Sequence, residues 1–244
     1  MTHGSVRRAK KLSRTMIVGA MIGATSMAGM VTSGVATAAP LSPTNCAKTA
    51  TPSAPNGWGN SFSDERGQAG KIVATNVVDQ DGSLQFTTTP EVPRQASYHS
   101  AGKLPLTTLA GKPLAFEKSA GNANWQLRVT GANTGQGDGF VTLVWSAPDA
   151  AGKYDAASSD KWWATRDLVS LKRGQTGTLA QLTAAANSGG KNTVVEHYGV
   201  SSQPNSGTGK VNVDNVSLNG CTTNFAVKGG NGSLGIELPG IGTL

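Results

Sequence analysis

The sequence predicts an all-β fold, an antiparallel β-sandwich with one short helix. Glycine is abundant, with 32 residues in a chain of 244, whereas charged residues make up only 14%, a composition typical of strands joined by tight turns. Short runs of alternating apolar residues recur between turn signals, and hardly any segment is long enough for an amphipathic helix. Together these observations indicate two sheets packed face to face.

Three runs have the clearest strand patterns. Residues 83–89 alternate, with Leu84 and Phe86 on one face, and residues 125–129 alternate in the same way. Residues 140–145 are almost continuously apolar, which predicts a central strand covered on both faces. Five further runs complete the predicted strands: residues 71–78, 95–99, 114–118, 194–201 and 211–218.

The closing run contains a change of alternation. Val211 and Val213 share one parity, whereas Val216 and Leu218 share the other. An extra residue near positions 214–215 would return all four side chains to one buried face, because a β-bulge shifts the alternation by one residue. The sequence therefore predicts a bulge in the last long strand.

The helix is predicted at residues 179–186. Thr178 stands where a helix N-cap is expected, since its hydroxyl group accepts a hydrogen bond from a free backbone N–H. The polar and glycine-rich residues 187–190 end the pattern. We expect this short helix to cover one edge or end of the sandwich.

The first 38 residues have the pattern of an export signal. A basic segment precedes an apolar, small-residue stretch at 16–31, and Ala36, Thr37 and Ala38 form a signal-peptidase site. The alternative, a membrane anchor, needs about 20 strongly apolar residues, and this stretch is diluted by Gly, Ser and Thr. The basic residues are Arg7, Arg8, Lys10, Lys11 and Arg14. We predict a secreted protein, extracellular or associated with the cell envelope, without a stable membrane span after cleavage.

Cleavage of the signal changes the electrostatics of the chain. The net charge falls from +7 to +2, because five basic residues leave without any acidic residue. Nucleic-acid binding needs Lys and Arg clustered on one face, and the pair Lys172 and Arg173 is too short for that. The mature chain is therefore not expected to bind nucleic acid, and we expect it to be a monomer.

The mature chain has two cysteines, Cys46 and Cys221, which lie near its two ends. In an oxidising compartment such a pair most simply forms one disulfide, with two free thiols as the alternative. The bond would join both ends of one domain. We expect a Pro-, Thr- and Ser-rich arm at 39–57, the sandwich at 58–221 and a glycine-rich tail at 222–244.

Four motifs resemble those of bacterial secreted β-sandwich domains. They are GSL at 82–84, KWWATR at 161–166, TLAQL at 178–182 and VDNVSL at 213–218. Over residues 58–218 the chain resembles the jelly rolls of carbohydrate-binding modules and of concanavalin-like lectins and glucanases. The resemblance implies a jelly-roll sandwich whose ligand is an extracellular or cell-envelope glycan.

An enzyme of this architecture would need paired carboxylates. A retaining glycosidase holds two carboxyl groups about 5 Å apart, and sandwich glucanases supply them as Glu-x-Asp-x-x-Glu, which this sequence lacks. Glu117 and Glu196 stand singly in predicted strands. Glu196 and His197 are consecutive, so their side chains point to opposite faces and cannot form an acid-base pair. A non-catalytic protein is favoured, with a glycan-cleaving enzyme as an alternative.

Calcium is the one cofactor that the sequence suggests. Asp79 and Asp81 lie in a polar loop, and secreted sandwiches often bind calcium with loop oxygens. Asp138 lies in a second, weaker candidate loop. Neither loop has the spaced acidic series of an EF-hand, and Asp-Gly is also ordinary turn chemistry. The sequence leaves both interpretations open.

The aromatic residues suggest a ligand-binding site. Sugar rings stack on indole rings, and their hydroxyl groups pair with planar polar side chains. Trp162 and Trp163, with Tyr154, Arg166 and Asp167, best fit this requirement. In an extended segment the two indoles point to opposite sides, so one can enter the core while the other meets solvent. Packing roles for both are the alternative.

We therefore expect a non-catalytic protein that binds carbohydrate or associates with the cell envelope. Trp162 or Trp163 would stack on a sugar, and Arg166 and Asp167 would orient its hydroxyl groups. A structural or adhesive surface protein that recognises another protein is the second possibility, and an exposed apolar edge would distinguish it from a polar shelf ringed by aromatic residues.

Overall fold

The computed structural model describes residues 45–228 and shows an all-β sandwich with one short α-helix, as predicted. The predicted signal at 1–38, the start of the arm and the tail from residue 229 lie outside the described residues. Twelve strands are numbered in chain order: β1 (Thr49–Ala50), β2 (Lys71–Val73), β3 (Ser83–Thr88), β4 (Gln95–Pro105), β5 (Leu114–Lys118), β6 (Asn124–Thr130), β7 (Val141–Ser146), β8 (Gly152–Asp155), β9 (Trp162–Ala164), β10 (Val194–Ser202), β11 (Gly209–Leu218) and β12 (Cys221–Phe225).

The two sheets have different organisations. The five-stranded sheet has the order β4-β10-β6-β7-β9 and is antiparallel throughout. The seven-stranded sheet is built around β11, which pairs with β5 along one side and with β3 and then β12 along the other. Strand β2 extends β3, β8 extends β5, and β1 extends β12. Only the short β1 to β12 pair in this set is parallel.

The predicted bulge in the closing strand is confirmed. In the pairing of β11 with β5, Asp214 is opposite Glu117 and Ser217 is opposite Ala115, so β11 contains one extra residue. Asn215 adopts a left-handed backbone conformation at this point, with φ of 50°. Consequently the apolar residues before and after the bulge all reach the core, as their change of parity required.

The helix α1 (Leu179–Ala186) has the predicted bounds and cap. Thr178 Oγ1 accepts a hydrogen bond from the Gln181 backbone N–H at 3.2 Å, and Gln181 Oε1 accepts one from the Thr178 N–H at 2.8 Å. Such a reciprocal capping box satisfies two N–H groups that a helix start leaves unpaired. None of the helices within residues 45–228 has the length and hydrophobicity needed to cross a membrane.

The core lies between the sheets and is rich in aromatic rings. Phe116 of β5 and Trp125 of β6 face each other from opposite sheets, with ring centroids 6.2 Å apart. Trp58 lies 5.5 Å from Tyr198 and 5.0 Å from Phe225, in both cases edge to face. All five side chains are buried. Burial of one side chain of the size of Phe stabilises the fold by roughly 2 kcal/mol.

The sandwich extends past both predicted boundaries. Strand β1 falls within the predicted arm at 39–57, and most of β12 falls within the predicted tail at 222–244; the two strands pair with each other. Both segments are short and polar, so their strand structure follows from backbone pairing rather than from an alternating pattern. The predicted disulfide between Cys46 and Cys221 is present, with Cα atoms 5.6 Å apart. It links the start of β12 to the segment just before β1.

Candidate ligand-binding groove

The outer face of the five-stranded sheet carries a row of polar side chains. Trp125 and Leu127 of β6 lie in the core. The alternate residues Asn124, Gln126 and Arg128 therefore lie on the opposite face, because successive side chains of a strand point to opposite sides. Each is nevertheless less than a tenth exposed, so neighbouring side chains cover much of this face.

A groove of about 970 Å³ lies on this face. Trp163 of β9 is half-buried at the groove, where it is paired across the sheet with Val144 of β7. The other lining residues are mostly polar or proline: Pro93, Arg94, Asn122, Asn124, Gln126, Ser146, Ala147, Pro148, Asp149, Thr165, Arg173, Gln203, Pro204, Asn205 and Gly207. An indole beside amide, guanidinium and hydroxyl groups is a composition suited to sugars.

Gly199 allows an aromatic ring to lie across the sheet. In the cross-strand register Gly199 stands between Tyr98 and Gln126. A Cβ atom at position 199 would lie 2.1 Å from the Ser97 carbonyl oxygen and 2.7 Å from Cδ1 of Tyr98, so a larger residue would collide with the β4 backbone and with the ring. The Tyr98 hydroxyl group thereby reaches Gln126 Oε1 and hydrogen-bonds with it. Position 199 thus needs glycine for close packing, independently of backbone conformation.

Hydrogen bonds hold the Gln126 amide in one orientation. Its Oε1 accepts from Arg94 Nη2 at 3.0 Å as well as from Tyr98, and its Nε2 donates to Ser201 Oγ at 2.6 Å. A side chain held in this way presents the same atoms to every ligand and loses little conformational freedom on binding. Gln126 is therefore a fixed polar element of the groove.

A buried carboxylate anchors this network from below. Glu65 Oε1 accepts from Arg94 Nη2 at 2.7 Å, from the Tyr98 hydroxyl at 2.9 Å and from Arg128 Nη1 at 3.2 Å. Only 4% of the Glu65 side chain is exposed. Burial, with the nearby Glu65 charge, raises the pKa of Tyr98 well above its usual range, so this hydroxyl group remains a hydrogen-bond donor at all ordinary pH values.

The loops at one end of the groove are tied together. Asn122 Oδ1 accepts from Asn124 Nδ2 at 3.1 Å and from the Gln203 backbone N–H at 2.8 Å. The three N–H groups of the buried Lys118 ammonium are shared among four backbone carbonyl groups of the loops that contribute Asn122 and Asp149. Hydrogen bonds within the protein therefore fix the loops at this end of the groove.

The two adjacent tryptophans divide as the alternation predicts. Trp162 has no exposed surface, and its Nε1 donates to the Ala156 carbonyl oxygen at 2.8 Å. It is a core residue, so a stacking role for Trp162 is wrong. Trp163 points the other way and lines the groove.

The other three predicted ligand-binding residues do not join Trp163. Tyr154 lies on β8 of the other sheet, and its hydroxyl group donates to the Ala150 carbonyl oxygen at 2.9 Å. Arg166 is exposed, with its guanidinium 5.3 Å from the Phe140 ring. Asp167 accepts from the Arg173 backbone N–H and from Lys172 Nζ. The structure therefore does not assemble the predicted set into one site, because residues close in sequence separate at the turns.

The predicted calcium ligands, in contrast, lie close together. Asp79 and Asp81 approach Asp214, and one oxygen atom from each lies within 4.8 Å of the others. Burial, together with the charges of Asp79 and Asp81, raises the pKa of Asp214 to about 7. Burial likewise raises the pKa of Asp81. Asp214 was not among the predicted ligands, since the sequence shows it only as part of a bulge.

Most groove residues were missed at the sequence level. Asn124 and Gln126 alternate with core residues in a predicted strand, so their parity already places them on the outer face. Arg94 and Gln203 have no comparable signal, because Arg94 lies just before β4 and Gln203 just after β10, outside the alternating strands. Their position depends on the order of strands in the sheet.

Comparison with known proteins gives no relative from which a role could be transferred. No protein-family model, no curated protein and no solved structure matches the chain. The function must therefore be argued from the groove and from the carboxylate cluster themselves. A fold class alone does not define an activity.

Proposed function

We propose that this protein is an extracellular, non-catalytic glycan-binding protein and that the groove beside Trp163 holds the sugar. The observation that supports this most is the half-buried indole of Trp163 in a groove otherwise lined by polar side chains. Apolar faces of sugar rings stack on indoles, while their hydroxyl groups exchange hydrogen bonds with amide and guanidinium groups. The groove offers both types of contact within one concave surface.

The fixed polar groups favour specific binding of one kind of ligand over non-specific adsorption. The Gln126 amide is held by three partners, and Asn122 by two. Arg94 and Arg173 add guanidinium groups to the lining, which bind oxygen-rich ligands through several N–H donors. A hydroxyl-rich chain of sugar units matches this arrangement of donors and acceptors.

The lining argues for binding rather than cleavage. Within the described residues, Asp149 is the one carboxylate among those that form the groove. Glycoside hydrolysis by acid-base catalysis uses a pair of carboxyl groups on either side of the scissile bond. Glu65 does not line the groove, and its Oε1 already accepts hydrogen bonds from Arg94, Arg128 and Tyr98.

Recognition of another protein through an apolar surface has less support. Among the described residues, the large hydrophobic side chains with substantial exposure are Val78 and Val169. Protein-binding surfaces normally present contiguous apolar patches of several hundred Å². The polar groove is the better developed surface.

The extracellular setting is supported by two independent features. The first 38 residues have the pattern of a cleavable export signal, and the disulfide between Cys46 and Cys221 suits an oxidising compartment. We propose that the mature protein binds glycans outside the cell or at the cell envelope.

The proposal is tested by glycan binding of the Trp163→Ala variant. The purified mature protein is screened on a glycan array and on insoluble polysaccharides, and hits are measured by calorimetry. Loss of a stacking partner worth about 1.4 kcal/mol lowers the affinity about tenfold. Ile72→Ala is the control, because it removes a half-buried apolar side chain from β2 of the other sheet, away from the groove lining.

Two results would contradict the proposal. One is binding by Trp163→Ala that equals that of the wild type. The other is equal loss in Trp163→Ala and Ile72→Ala, which would indicate general weakening of the fold instead of a site at Trp163.

A further inference from the structure

Three carboxylates from two distant parts of the sequence meet where β3 and β12 adjoin β11 in the seven-stranded sheet. Asp79 and Asp81 lie in the loop between β2 and β3, and Asp214 lies at the bulge of β11. One oxygen atom from each is within 4.8 Å of the others. Three ionised carboxylates at such separations repel one another, and either a proton or a bound cation would relieve that repulsion.

The buried member of the cluster has an unused acceptor. Asp214 has no exposed surface. Its Oδ1 accepts from the backbone N–H groups of Asn215 at 2.8 Å and Phe225 at 2.9 Å, whereas Oδ2 is buried without a hydrogen-bond partner. An unpartnered buried carboxylate oxygen is costly, and native proteins rarely leave one without a ligand, a water molecule or an ion.

Two further side-chain oxygens beside Asp214 are also buried without a hydrogen-bond partner. Asn224 Nδ2 donates to Asp81 Oδ2 at 2.9 Å. This contact leaves Asp81 Oδ1 and Asn224 Oδ1, both of which are buried without a partner. The unused groups of Asp81, Asp214 and Asn224 are all acceptors, so another acceptor would not complete them. A cation bound among the three carboxylates would be a suitable partner for such acceptors.

We propose that Asp79, Asp81 and Asp214 bind a calcium ion, with the side-chain oxygen of Asn224 as a neutral fourth donor. The cluster contains oxygen donors and neither His nor Cys, which selects a hard cation. Calcium accepts six to eight oxygens at 2.3–2.6 Å in irregular geometry, whereas magnesium demands a near-ideal octahedron. Donors from a loop, a bulge and a neighbouring strand suit the less demanding ion.

The ion would join three separate segments of the chain. The loop with Asp79 and Asp81 is already attached to the end of β12 by the Val227 N–H, which donates to the Asp81 carbonyl oxygen at 2.9 Å. Bound calcium would add a link from this loop to β11. Because the segments separate on unfolding, the ion binds the folded state alone and stabilises it.

The test measures calcium binding and thermal unfolding of the purified full chain after removal of metal with a chelator. Calorimetric titration is expected to show one calcium ion per chain. Calcium at 100 times its Kd shifts the folding equilibrium about 100-fold, which appears as a higher unfolding temperature. Asp79→Asn and Asp214→Asn are each expected to lower calcium affinity at least about tenfold. Asp160→Asn, which changes an exposed loop carboxylate, serves as the matched control and leaves both readouts unchanged.

The metal-free variants separate ligand loss from misfolding. In chelator, Asp214→Asn is expected to unfold at or above the wild-type temperature, because the substitution removes a buried charge, while the stabilisation by calcium disappears. Asp79 is exposed, so Asp79→Asn retains the fold in either case. Absence of calcium binding, wild-type affinity in both variants, or equal affinity for magnesium would overturn the proposal. Glycan retention is not a readout, and the groove lies on the other sheet, so the two proposals are tested separately.

Discussion

Replacement of Lys118 by Met would test a buried ammonium group that organises one end of the groove. Lys118 is 1% exposed. Its Nζ lies 2.8 to 3.2 Å from the carbonyl oxygens of Ser119, Gly121, Asp149 and Ala150, so its three N–H groups are shared among these four acceptors. Burial lowers the pKa of Lys118, and the nearby Asp149 charge partly opposes that shift. Met occupies a similar volume but has no donor.

The expected loss follows from the four carbonyl groups. A buried carbonyl left without a partner costs about 1–3 kcal/mol. These carbonyls belong to surface loops, so water can reach some of them, and the variant no longer has to bury an ammonium group. With one or two carbonyls remaining dry, Lys118→Met is expected to lose about 3 kcal/mol of unfolding free energy. For a domain of this size, that loss lowers the unfolding temperature by roughly 10 °C.

Urea unfolding followed by tryptophan fluorescence would measure this loss, with the slope m checked for two-state behaviour. Lys210→Met is the matched control, because Lys210 is an exposed lysine of β11, and it is expected to change stability by less than about 0.5 kcal/mol. A loss below about 1 kcal/mol in Lys118→Met at unchanged m would refute the reasoning, since the four hydrogen bonds would then add nothing net.

Two further predictions concern the covalent closure of the domain and its pH dependence. The disulfide encloses a sequence separation of 175 residues, so the chain-entropy model gives a loss of about 5 kcal/mol on replacing Cys46 and Cys221 with Ser, measured by urea unfolding; an unchanged midpoint would contradict this. Burial and the Arg128 and His99 charges lower the pKa of His197 from 6.5, against an opposing effect of Glu196. Below pH 6.5 the unfolded chain therefore binds more protons than the folded chain. The contribution of His197 to stability is complete above that pH, and it is lost as the pH falls through the lowered pKa. His197→Gln is expected to flatten this part of the stability profile, and parallel profiles for variant and wild type would exclude the effect.

The sequence predicts the fold where local patterns are sufficient. The parity change between Val213 and Val216 identifies the bulge, because the core requires all of the apolar side chains on one face. Thr178 and Gln181 stand at the spacing of a capping box, so the helix start is a local property. The strands β1 and β12 have no such signal, since β12 is defined by its pairing with β11 and β1 by its pairing with β12.

The candidate sites depend on contacts that local patterns do not encode. Alternation predicts that one of Trp162 and Trp163 faces outward, but the choice follows from which face of β9 meets the core. Asp81 and Asp214 are separated by more than half of the chain and meet because β3 and β12 both pair with β11. The groove residues likewise come together through strand order, so they are properties of the sheet as a whole.

The disulfide between Cys46 and Cys221 also decides how the molecule responds to mechanical load. A pulling force applied to the chain before Cys46 and after Cys221 passes directly across the bond, whose Cα atoms are 5.6 Å apart. The strands between the two cysteines carry none of that force, so strands β2 to β11 cannot be pulled apart through the chain ends while the bond is intact. Residues 222–225 of β12 lie beyond Cys221 and would carry the load, so tension would reach the carboxylate cluster through Asn224 and Phe225 while the groove stays undistorted.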